Sequence, residues 1–413
     1  MKVAFHTLGC KVNIYETEAM KELYRAQDYE VVEFDDVADV YVINTCSVTS
    51  VADKKSRQMI HRARKLNPQA KIVATGCYVT GLSDEEKAKL GVDYIIDNKQ
   101  KNELLKTVKV SRMQDRTRAD VKIEDGCDQF CSYCIIPYKR GRVTSRSRGD
   151  IIDEIKGLTA CGHQEIVLTG IHVPCYGKDT GDNLLSLMQG IAGTEGLQRL
   201  RLGSLEPNVI TREFLDGLKD MKEFCPHFHL SLQSGCDKTL KAMNRHYTTG
   251  EFREKVELIR EYYPHPAITT DVIVGFPGET EEDFRESRDF VDEMKLFQMH
   301  IFPYSRREGT RAASMPGQLT LAVKQARVDE LEAVDMRNSM EFIQYYQESD
   351  VDVLMEEPLE NAAGTFYTGH TDTYVRVAVP AQECDGLQMR GRLDRYHIDG
   401  RLSDNTLLGH VIS

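Results

Sequence analysis

Apolar residues in the first 112 positions follow two alternating patterns. Short continuous apolar runs, such as residues 3–8 and 37–44, predict strands that are buried on both faces. Between these runs, segments such as residues 15–26 carry apolar side chains at helical spacing. Strands that alternate with helices in this way predict a doubly wound parallel sheet over residues 1–112.

The same alternation continues over residues 113–347, with longer helices between the strands. Six strands are predicted, at residues 121–124, 165–169, 199–203, 227–232, 269–274 and 299–303. Strand–helix units in this number favour a closed or partial parallel barrel. A long helix at residues 322–347 is expected to lead out of this domain.

From residue 348 to residue 413 the apolar period changes to two. Val351, Val353, Val375 and Val377 alternate with polar residues, and Gly and Asp-Gly turns recur. This pattern predicts a small all-β barrel or sandwich. The chain is therefore expected to be an α/β protein with three domains, at residues 1–112, 113–347 and 348–413.

Composition limits the class of protein further. The chain has 413 residues, a formal net charge of -12 and 11 cysteines. It contains no apolar run of about eighteen residues, and its first residues are too polar for a signal peptide, so a cytoplasmic protein without a membrane span is expected. An odd number of cysteines in that compartment argues against a disulfide framework and for metal or redox chemistry.

Three cysteines, Cys127, Cys131 and Cys134, are separated by only three and two residues. Thiolates are the ligands of iron–sulfur clusters, and one short loop can wrap a cluster. Three ligands leave one iron of a four-iron cluster open, and that iron can chelate the amino and carboxylate groups of a methionine moiety. A zinc loop is the alternative, but zinc requires a fourth ligand and no His lies nearby.

Three further cysteines, Cys10, Cys46 and Cys77, each end a predicted parallel strand. Open parallel sheets bind ligands beyond the carboxyl ends of their strands, so these thiols are expected to converge on one edge and to hold a second cluster. Three buried structural cysteines are the alternative. The remaining cysteines lack ligand-like spacing and are interpreted as structural: Cys161, Cys175, Cys225, Cys236 and Cys384.

The residues around these cysteines form recognisable motifs. They are Thr7-Leu8-Gly9-Cys10-Lys11-Val12-Asn13, Asn44-Thr45-Cys46, Thr75-Gly76-Cys77 and the triplet of Cys127, Cys131 and Cys134. Together they resemble the methylthiotransferase family of radical S-adenosylmethionine (SAM) enzymes, over nearly the whole chain. The first motif is most similar to the branch that acts on threonylcarbamoyladenosine in tRNA. The branches that act on isopentenyladenosine or on a ribosomal-protein aspartate are the alternatives.

The resemblance implies an activity, cofactors and partners. The family joins a methylthiotransferase domain, a radical SAM core and a C-terminal RNA-binding barrel called the TRAM domain. It implies two 4Fe-4S clusters, with one SAM as radical source and another as methyl donor, and an electron donor such as flavodoxin or ferredoxin. The implied substrate is the anticodon stem-loop of tRNA. An iron–sulfur carrier or redox sensor is the non-catalytic alternative, but it leaves the barrel unexplained.

Candidate residues for SAM binding come from two sources. Because barrel enzymes bind ligands at the carboxyl ends of their strands, six residues at such ends are candidates: Thr169, Gly170, Ser204, Glu206, Gln233 and Gly275. For Glu206 and Gln233 a structural role in the barrel rim is the alternative. Arg245 is a candidate for the SAM carboxylate, with an ion pair to a protein acid as the alternative. The resemblance implies that Tyr133 lies against the adenine. No side chain is expected to act as a general base, because the clusters and SAM carry the chemistry.

Two basic segments are candidates for RNA contact in this acidic chain, because phosphate binding needs local clusters of positive charge. One is a helix with Lys54, Lys55, Arg57, Arg62, Arg64 and Lys65, and the other follows the cysteine triplet with Lys139, Arg140, Arg142, Arg146 and Arg148. The C-terminal domain begins with acidic residues, so it is expected either to meet RNA through one face around Arg390, Arg392 and Arg395 or to contribute little affinity for RNA. Solvated surface is the alternative for each segment.

Overall fold

The computed structural model describes residues 1–114, 116–384 and 389–412. Its first part is a five-stranded parallel sheet, here called the N-terminal sheet. The strands are β1 (Lys2–Thr7), β2 (Glu30–Val32), β3 (Val40–Thr45), β4 (Lys71–Gly76) and β5 (Tyr94–Ile96), and the helices are α1 (Lys11–Arg25), α2 (Ser50–Leu66), α3 (Asp84–Lys89) and α4 (Asn98–Leu105). The spatial order β2-β1-β3-β4-β5 confirms the predicted doubly wound sheet.

The central strand β3 shows why this sheet needs helices on both faces. All six of its residues are buried. On one face Tyr41 and Ile43 pack with Ile60 of α2, and on the other Val42 packs with Met20 of α1. A continuous apolar run is therefore the correct sequence signal for this strand, as predicted. The sequence did not reveal β2 or α4, which are short and only partly buried.

The middle of the chain contains six parallel strands that form the partial barrel. The strands of this part are β6 (Ala119–Lys122), β7 (Glu124–Asp125), β8 (Thr144–Ser145), β9 (Glu165–Thr169), β10 (Arg199–Leu202), β11 (His227–His229), β12 (Ala267–Val274) and β13 (Gln298–Pro303), of which β7 and β8 form a separate hairpin-like sheet. The helices are α5 (Ile136–Arg140), α6 (Arg148–Ala160), α7 (Leu184–Ile191), α8 (Arg212–Lys219), α9 (Asp237–Ala242), α10 (Thr249–Tyr262), α11 (Glu281–Met294) and α12 (Leu321–Gln344). No helix in the described part of the chain is both long and apolar enough to cross a membrane.

The partial barrel consists of two three-stranded sheets that meet edge to edge. One sheet has the order β10-β9-β6 and the other β11-β12-β13. Leu205 joins them, because its N–H donates to the carbonyl of His229 at 2.8 Å. Among the described residues no ladder connects β6 with β13, so the barrel is open on that side. Each of the six predicted strands is present, and the partial form of the predicted barrel is confirmed.

The last part of the chain closes into the C-terminal barrel. Its strands are β14 (Ser349–Asn361), β15 (Gly364–His370), β16 (Arg376–Pro380), β17 (Leu393–Ser403) and β18 (Thr406–Val411), in the closed order β14-β15-β16-β18-β17. The predicted small β-barrel is therefore confirmed. It lies against β10, because Arg199 Nη1 donates to the carbonyl of His370 at 2.9 Å and Arg201 Nη1 donates to that of Asp372 at 2.8 Å.

A buried group of five charged side chains, here called the Glu16 network, connects the N-terminal sheet to the partial barrel. Its members are Glu16, Lys101, Lys122, Asp125 and Arg140. Glu16 on α1 contacts Lys101 at 2.5 Å, Lys122 at 2.9 Å and Arg140 at 3.0 Å. Asp125 contacts Lys122 at 2.6 Å and Arg140 at 3.0 Å. Burial alone would raise the pKa of Glu16, but the three cations hold it well below its ordinary value.

Replacement of Glu16 by Gln should destabilise the protein strongly. The carboxylate is completely buried, and its loss leaves three buried cations with one counter-ion. We expect the free energy of unfolding in guanidinium to fall by about 3–5 kcal/mol. Because the folded-state pKa is depressed, this stabilisation is present above the pKa of the unfolded state and is lost only as the pH falls through the lower folded-state value. The control Glu33→Gln, at an exposed acid, should change stability little; equal losses for both variants would contradict the role of the network.

Candidate active site

The cysteine triplet lies on the loop between β7 and α5. The N–H of Cys127 donates to the carbonyl of Gly141 at 3.0 Å, and the N–H of Cys134 donates to that of Cys131 at 3.0 Å. Ser132 between them donates to the carbonyl of Met243 at 2.9 Å, which fixes the loop to the end of α9. Backbone bonds therefore hold all three thiols at the carboxyl-end face of the partial barrel, where such barrels bind their ligands.

Charged side chains surround this loop. Arg245 Nη1 lies 3.1 Å from Cys131 Sγ, and Arg245 Nη2 lies 2.8 Å from Glu206 Oε1. His172 Nε2 lies 3.3 Å from Glu206 Oε2. Burial would lower the pKa of His172, but hydrogen bonds to Cys127 and other neighbours raise it to about 12. The sequence reasoning missed His172, although it follows the end of β9 and the strand-end rule would have included it.

Two of the predicted SAM-binding residues, Glu206 and Arg245, thus lie beside the triplet, and Tyr133 lies with them. Tyr133 packs against Phe276 and Met243, and burial together with the neighbouring thiol of Cys131 raises its pKa. The alternative interpretation of Arg245, an ion pair with a protein acid, is also observed. The same guanidinium therefore contacts both a cysteine sulfur and a carboxylate.

The other predicted SAM-binding residues lie at strand ends with different surroundings. Thr169 is buried at the end of β9 and Ser204 is exposed after β10. At Gly170 a Cβ atom would lie 2.1 Å from Glu124 Oε1, so this close approach requires glycine. Gln233 has a positive φ of 69° and is bound through its backbone to β12. Gly275 packs against Lys324 rather than facing open space.

The second set of cysteines follows three adjacent strands of the N-terminal sheet. Cys10 comes shortly after β1, and Cys46 and Cys77 come directly after β3 and β4. Burial raises the pKa of Cys46 to about 11, and the nearby thiols of Cys77 and Cys10 contribute to the rise. Gly9 has a positive φ of 101°, and a Cβ atom there would lie 2.9 Å from Cys46 Sγ. The three thiols therefore converge as predicted, around a turn that only glycine fits.

The spacing of both thiol sets suits a polynuclear cluster better than a single metal ion. Neither cysteine set has its sulfurs all within 4.8 Å of one another. Among the described residues that spacing is found for the ligand atoms of one group of three, His229, Asp271 and His300. A zinc ion with bonds of about 2.3 Å needs sulfurs within about 4.6 Å. Burial also raises the pKa of Cys134 to about 12, so a bound metal must supply the charge that deprotonates it.

Helix α5 connects the two cysteine sets. It begins soon after Cys134 and ends at Arg140, a member of the Glu16 network. Burial would lower the pKa of Arg140, but Asp125, Glu16 and the thiols of Cys77 and Cys10 raise it. Asn98 Nδ2 donates to the carbonyl of Lys139 at 3.0 Å and lies 3.6 Å from Cys77 Sγ. The two sets are therefore held in one site rather than at separate places on the surface.

The interior of the partial barrel is strongly polar. Arg201 Nε lies 2.8 Å from Glu165, and Asp271 lies 3.4 Å from His229 and 3.1 Å from His300. A cavity of about 240 Å³ opens into this region, and Lys11, Asp120, Val167 and Arg201 line it together with residues of the C-terminal barrel.

Tyr374 of the C-terminal barrel closes one end of this interior. Its ring lies 4.9 Å from the guanidinium of Arg201 and 5.3 Å from the ring of His227, on which it stacks. The same ring lies 4.8 Å from the guanidinium of Arg118. The C-terminal barrel is thus part of the cavity wall, which the sequence did not predict.

The structure corrects one of the two predicted RNA-binding segments. Arg140 is buried in the Glu16 network, and Arg142, Arg146 and Arg148 pair with Asp128, Glu154 and Asp182. For Arg140 the prediction of phosphate contact is wrong, because its guanidinium is buried, which the sequence cannot show. Arg142 and Arg148 keep exposed side chains beside their acids, so for them phosphate contact stays a prediction.

Helix α2 keeps more of its predicted basic character. Arg62 and Arg64 pair with Asp35 and Asp93, and Arg57 donates to the hydroxyl of Tyr78. Lys54, Lys55 and Lys65 are exposed and have no ion pair among the described residues. The acids at the start of the C-terminal barrel are partly neutralised within it, because Asp350 contacts His397 and Glu357 contacts Arg376.

Two family profiles match the chain. Residues 2–97 match the uncharacterized protein family UPF0004, and residues 121–291 match the radical SAM superfamily. These matches cover the N-terminal sheet with the second cysteine set and most of the partial barrel with the triplet.

Named relatives are similar over most of their length. The threonylcarbamoyladenosine tRNA methylthiotransferase MtaB of Bacillus subtilis (strain 168) is 39% identical over 92% of this chain and 91% of the relative. The tRNA-2-methylthio-N(6)-dimethylallyladenosine synthase of Thermoanaerobacter sp. (strain X514) is 34% identical over 85% of this chain and 81% of the relative. The solved structure of the radical S-adenosylmethionine methyltransferase TsrM from Kitasatospora setae, with cobalamin and a 4Fe-4S cluster bound, has a TM-score of 0.57 at 16% identity and covers 76% of this chain and 77% of that one. This last likeness concerns the fold alone.

The metal-free protein should show unequal thiol reactivity in the second cysteine set. A thiol with a pKa of about 11, as at Cys46, is almost fully protonated at pH 8 and is also buried, whereas Cys10 is exposed. We expect iodoacetamide to modify Cys10 at least about tenfold faster than Cys46 by peptide mass spectrometry. In urea the two rates should become equal, and equal rates in the folded protein would contradict the described geometry.

Proposed function

Because the chain belongs to the methylthiotransferase family of radical SAM enzymes, we propose that it adds a methylthio group to carbon two of threonylcarbamoyladenosine next to the anticodon of tRNA. The observation that carries this proposal is the 39% identity to a relative of that name over 91% of its length, combined with two separate cysteine sets in one site. The substrate is thus tRNA, with the anticodon stem-loop as the part that enters the enzyme.

Two clusters and SAM fit the side chains that are present. We propose that Cys127, Cys131 and Cys134 hold a 4Fe-4S cluster with one open iron, and that Cys10, Cys46 and Cys77 hold a second. When bound, these groups and SAM would supply three things: the sulfur, the methyl group, and the radical that removes hydrogen from carbon two. The chain itself positions them and excludes water, and the Glu16 network fixes the distance between the two sets.

Contacts of the protein with SAM are assigned from the site geometry. Arg245 and Glu206 lie beside Cys131 with opposite charges, so they suit the carboxylate and the ammonium of a methionine moiety. Tyr133 offers a ring next to the same sulfur for the adenine. Thr169, Ser204 and Gln233 at the strand ends complete the proposed SAM site. Gly170 and Gly275 are proposed to contact SAM through their backbone alone, because Glu124 and Lys324 occupy the space where a Cβ atom would lie.

The exposed lysines of α2 form the proposed surface for RNA phosphates. The proposed electron donor is a flavodoxin or ferredoxin in the cytoplasm. We also propose domain limits at residues 1–112, 113–347 and 348–413, because the N-terminal sheet, the partial barrel and the C-terminal barrel fall within them.

A dimethylallyladenosine substrate is the second candidate, because a relative with that activity in its name is 34% identical. The charged interior of the partial barrel disfavours it. An apolar substituent would desolvate Lys11 and Asp120 without replacing their interactions with water, which is unfavourable.

The product can be tested by nucleoside mass spectrometry of tRNA from a host that lacks the activity. We expect methylthio-threonylcarbamoyladenosine to appear with the wild-type gene and with the control Cys161→Ala, an exposed cysteine outside both sets. Cys46→Ala should abolish the product. Product from Cys46→Ala would refute the assigned source of sulfur, and a methylthio group on another nucleoside would refute the assigned substrate.

Exchange of two exposed lysines tests the RNA surface. The double change Lys54→Glu and Lys55→Glu should weaken tRNA binding. If each lysine neutralises one phosphate, the slope of log K plotted against log salt concentration should become less steep by about 1.4. Fluorescence anisotropy at several salt concentrations measures this slope. The same charge change on α3, Lys87→Glu with Lys89→Glu, should leave the slope unchanged, and an equal effect of both pairs would exclude a specific role for α2.

A further inference from the structure

Asp120 is the acid that acts most strongly on one cation of the cavity in the partial barrel, but it contacts Arg116 and leaves that cation, Lys11, without a close ion pair. Lys11 is the first residue of α1 and follows Cys10 directly. The residue is exposed to solvent, yet its side chain reaches the interior of the partial barrel, where the charges of Asp120, Arg201 and Glu165 act on it. Among the described residues no carboxylate oxygen lies within 4.0 Å of its ammonium group. Because Lys11 is bonded to Cys10, a proposed cluster ligand, it links the cavity to the second cysteine set.

The cavity as a whole has spare positive charge. Five basic residues line it, Lys11, Arg116, Arg118, Arg201 and Arg390, and three acids, Asp120, Glu356 and Glu357. Three of the basic side chains have acidic partners: Arg116 lies 3.6 Å from Asp120, Arg118 lies 2.9 Å from Glu356, and Arg201 lies 2.8 Å from Glu165. In the described part of the chain Lys11 and Arg390 have no carboxylate within 4.0 Å, and Lys11 shares the charge of Asp120 with Arg116. An excess of cations in a concave site of an acidic protein favours an anionic ligand.

Substrate chemistry supplies such an anion at the correct place. Carbon two of adenine, which reacts, and carbon six, which carries the substituent, are separated by a single ring nitrogen. The pocket for the substituent must therefore adjoin the cluster that reacts, and Lys11 is bonded to the residue that holds it. The threonylcarbamoyl group ends in a free carboxylate, whereas the isopentenyl group has no charge.

We propose that Lys11 binds the carboxylate of the threonyl substituent and thereby selects threonylcarbamoyladenosine over adenosines with neutral substituents. This inference rests on the proposed function and adds a specificity-determining residue to it. A cation aligned with a carboxylate in a partly desolvated site forms a strong hydrogen bond. A substrate without the carboxylate leaves the cation unpaired, and sites built for a polar group reject such analogues strongly.

Two anticodon stem-loop RNAs that differ in one group test the proposal. One carries the threonylcarbamoyl substituent and the other its threoninamide, which has the same shape and no charge. For the wild-type enzyme with both clusters we expect kcat/KM to be about 30- to 100-fold higher on the acid than on the amide. For Lys11→Met the two substrates should react at equal rates, and Lys11→Arg should keep most of the preference.

Controls separate recognition from damage to the neighbouring cluster. Rates are normalised to iron content per chain, because Lys11 adjoins Cys10. Lys156→Met, an exposed lysine on α6 outside the cavity, should retain the wild-type preference. An unchanged preference in Lys11→Met would overturn the proposal. An equal loss on both RNAs would also overturn it, since a contact with the phosphate backbone does not depend on the substituent.

Equilibrium binding of the same RNAs distinguishes failure of this inference from failure of the proposed function. If the wild-type enzyme forms no methylthio product on either RNA, the proposed function fails. A preference for the acid in fluorescence anisotropy that disappears in Lys11→Met would then still support the carboxylate site. Equal affinity of the wild-type protein for both RNAs would refute it.

Discussion

The site depends on the burial of charge around Glu16. The five side chains of the Glu16 network are removed from water together. They come from α1, α4, β6, β7 and α5, and their burial is stable only when all the partners are in place. This condition links the positions of the two cysteine sets, because α5 follows one set and Arg140 acts electrostatically on the other. Two clusters that serve one substrate need a fixed separation, and the protein links their cysteine sets with ion pairs rather than with a flexible linker.

Strand-end positions were the most useful signal in the sequence. They predicted the convergence of Cys10, Cys46 and Cys77 and the location of Glu206 beside the triplet, because the carboxyl ends of parallel strands must share an edge. The three parts of the chain followed from the period of the apolar residues. These features depend on local pattern and on topology, which are both legible in one sequence.

Charge pairing between distant segments was not predictable in the same way. The arginines after the triplet read as an exposed basic run, yet Arg140 is buried and Arg148 pairs with Asp182, which lies 34 positions away. The position of His172 after β9 was available from the strand-end rule, but its contacts with Glu206 and Cys127 are created only by the folded barrel. The contribution of the C-terminal barrel to the cavity wall has the same origin.

The stacking of Tyr374 on His227 has a consequence for how the molecule is divided. The C-terminal barrel is not an independent module, since the ring of one of its residues, Tyr374, forms part of the wall of the cavity in the partial barrel. Removal of this barrel would open a second entrance for water and oxygen to a chamber in which radicals must survive. Any shift of the barrel would move the ring of Tyr374 with it, so the position of this barrel and the shape of the cavity are coupled.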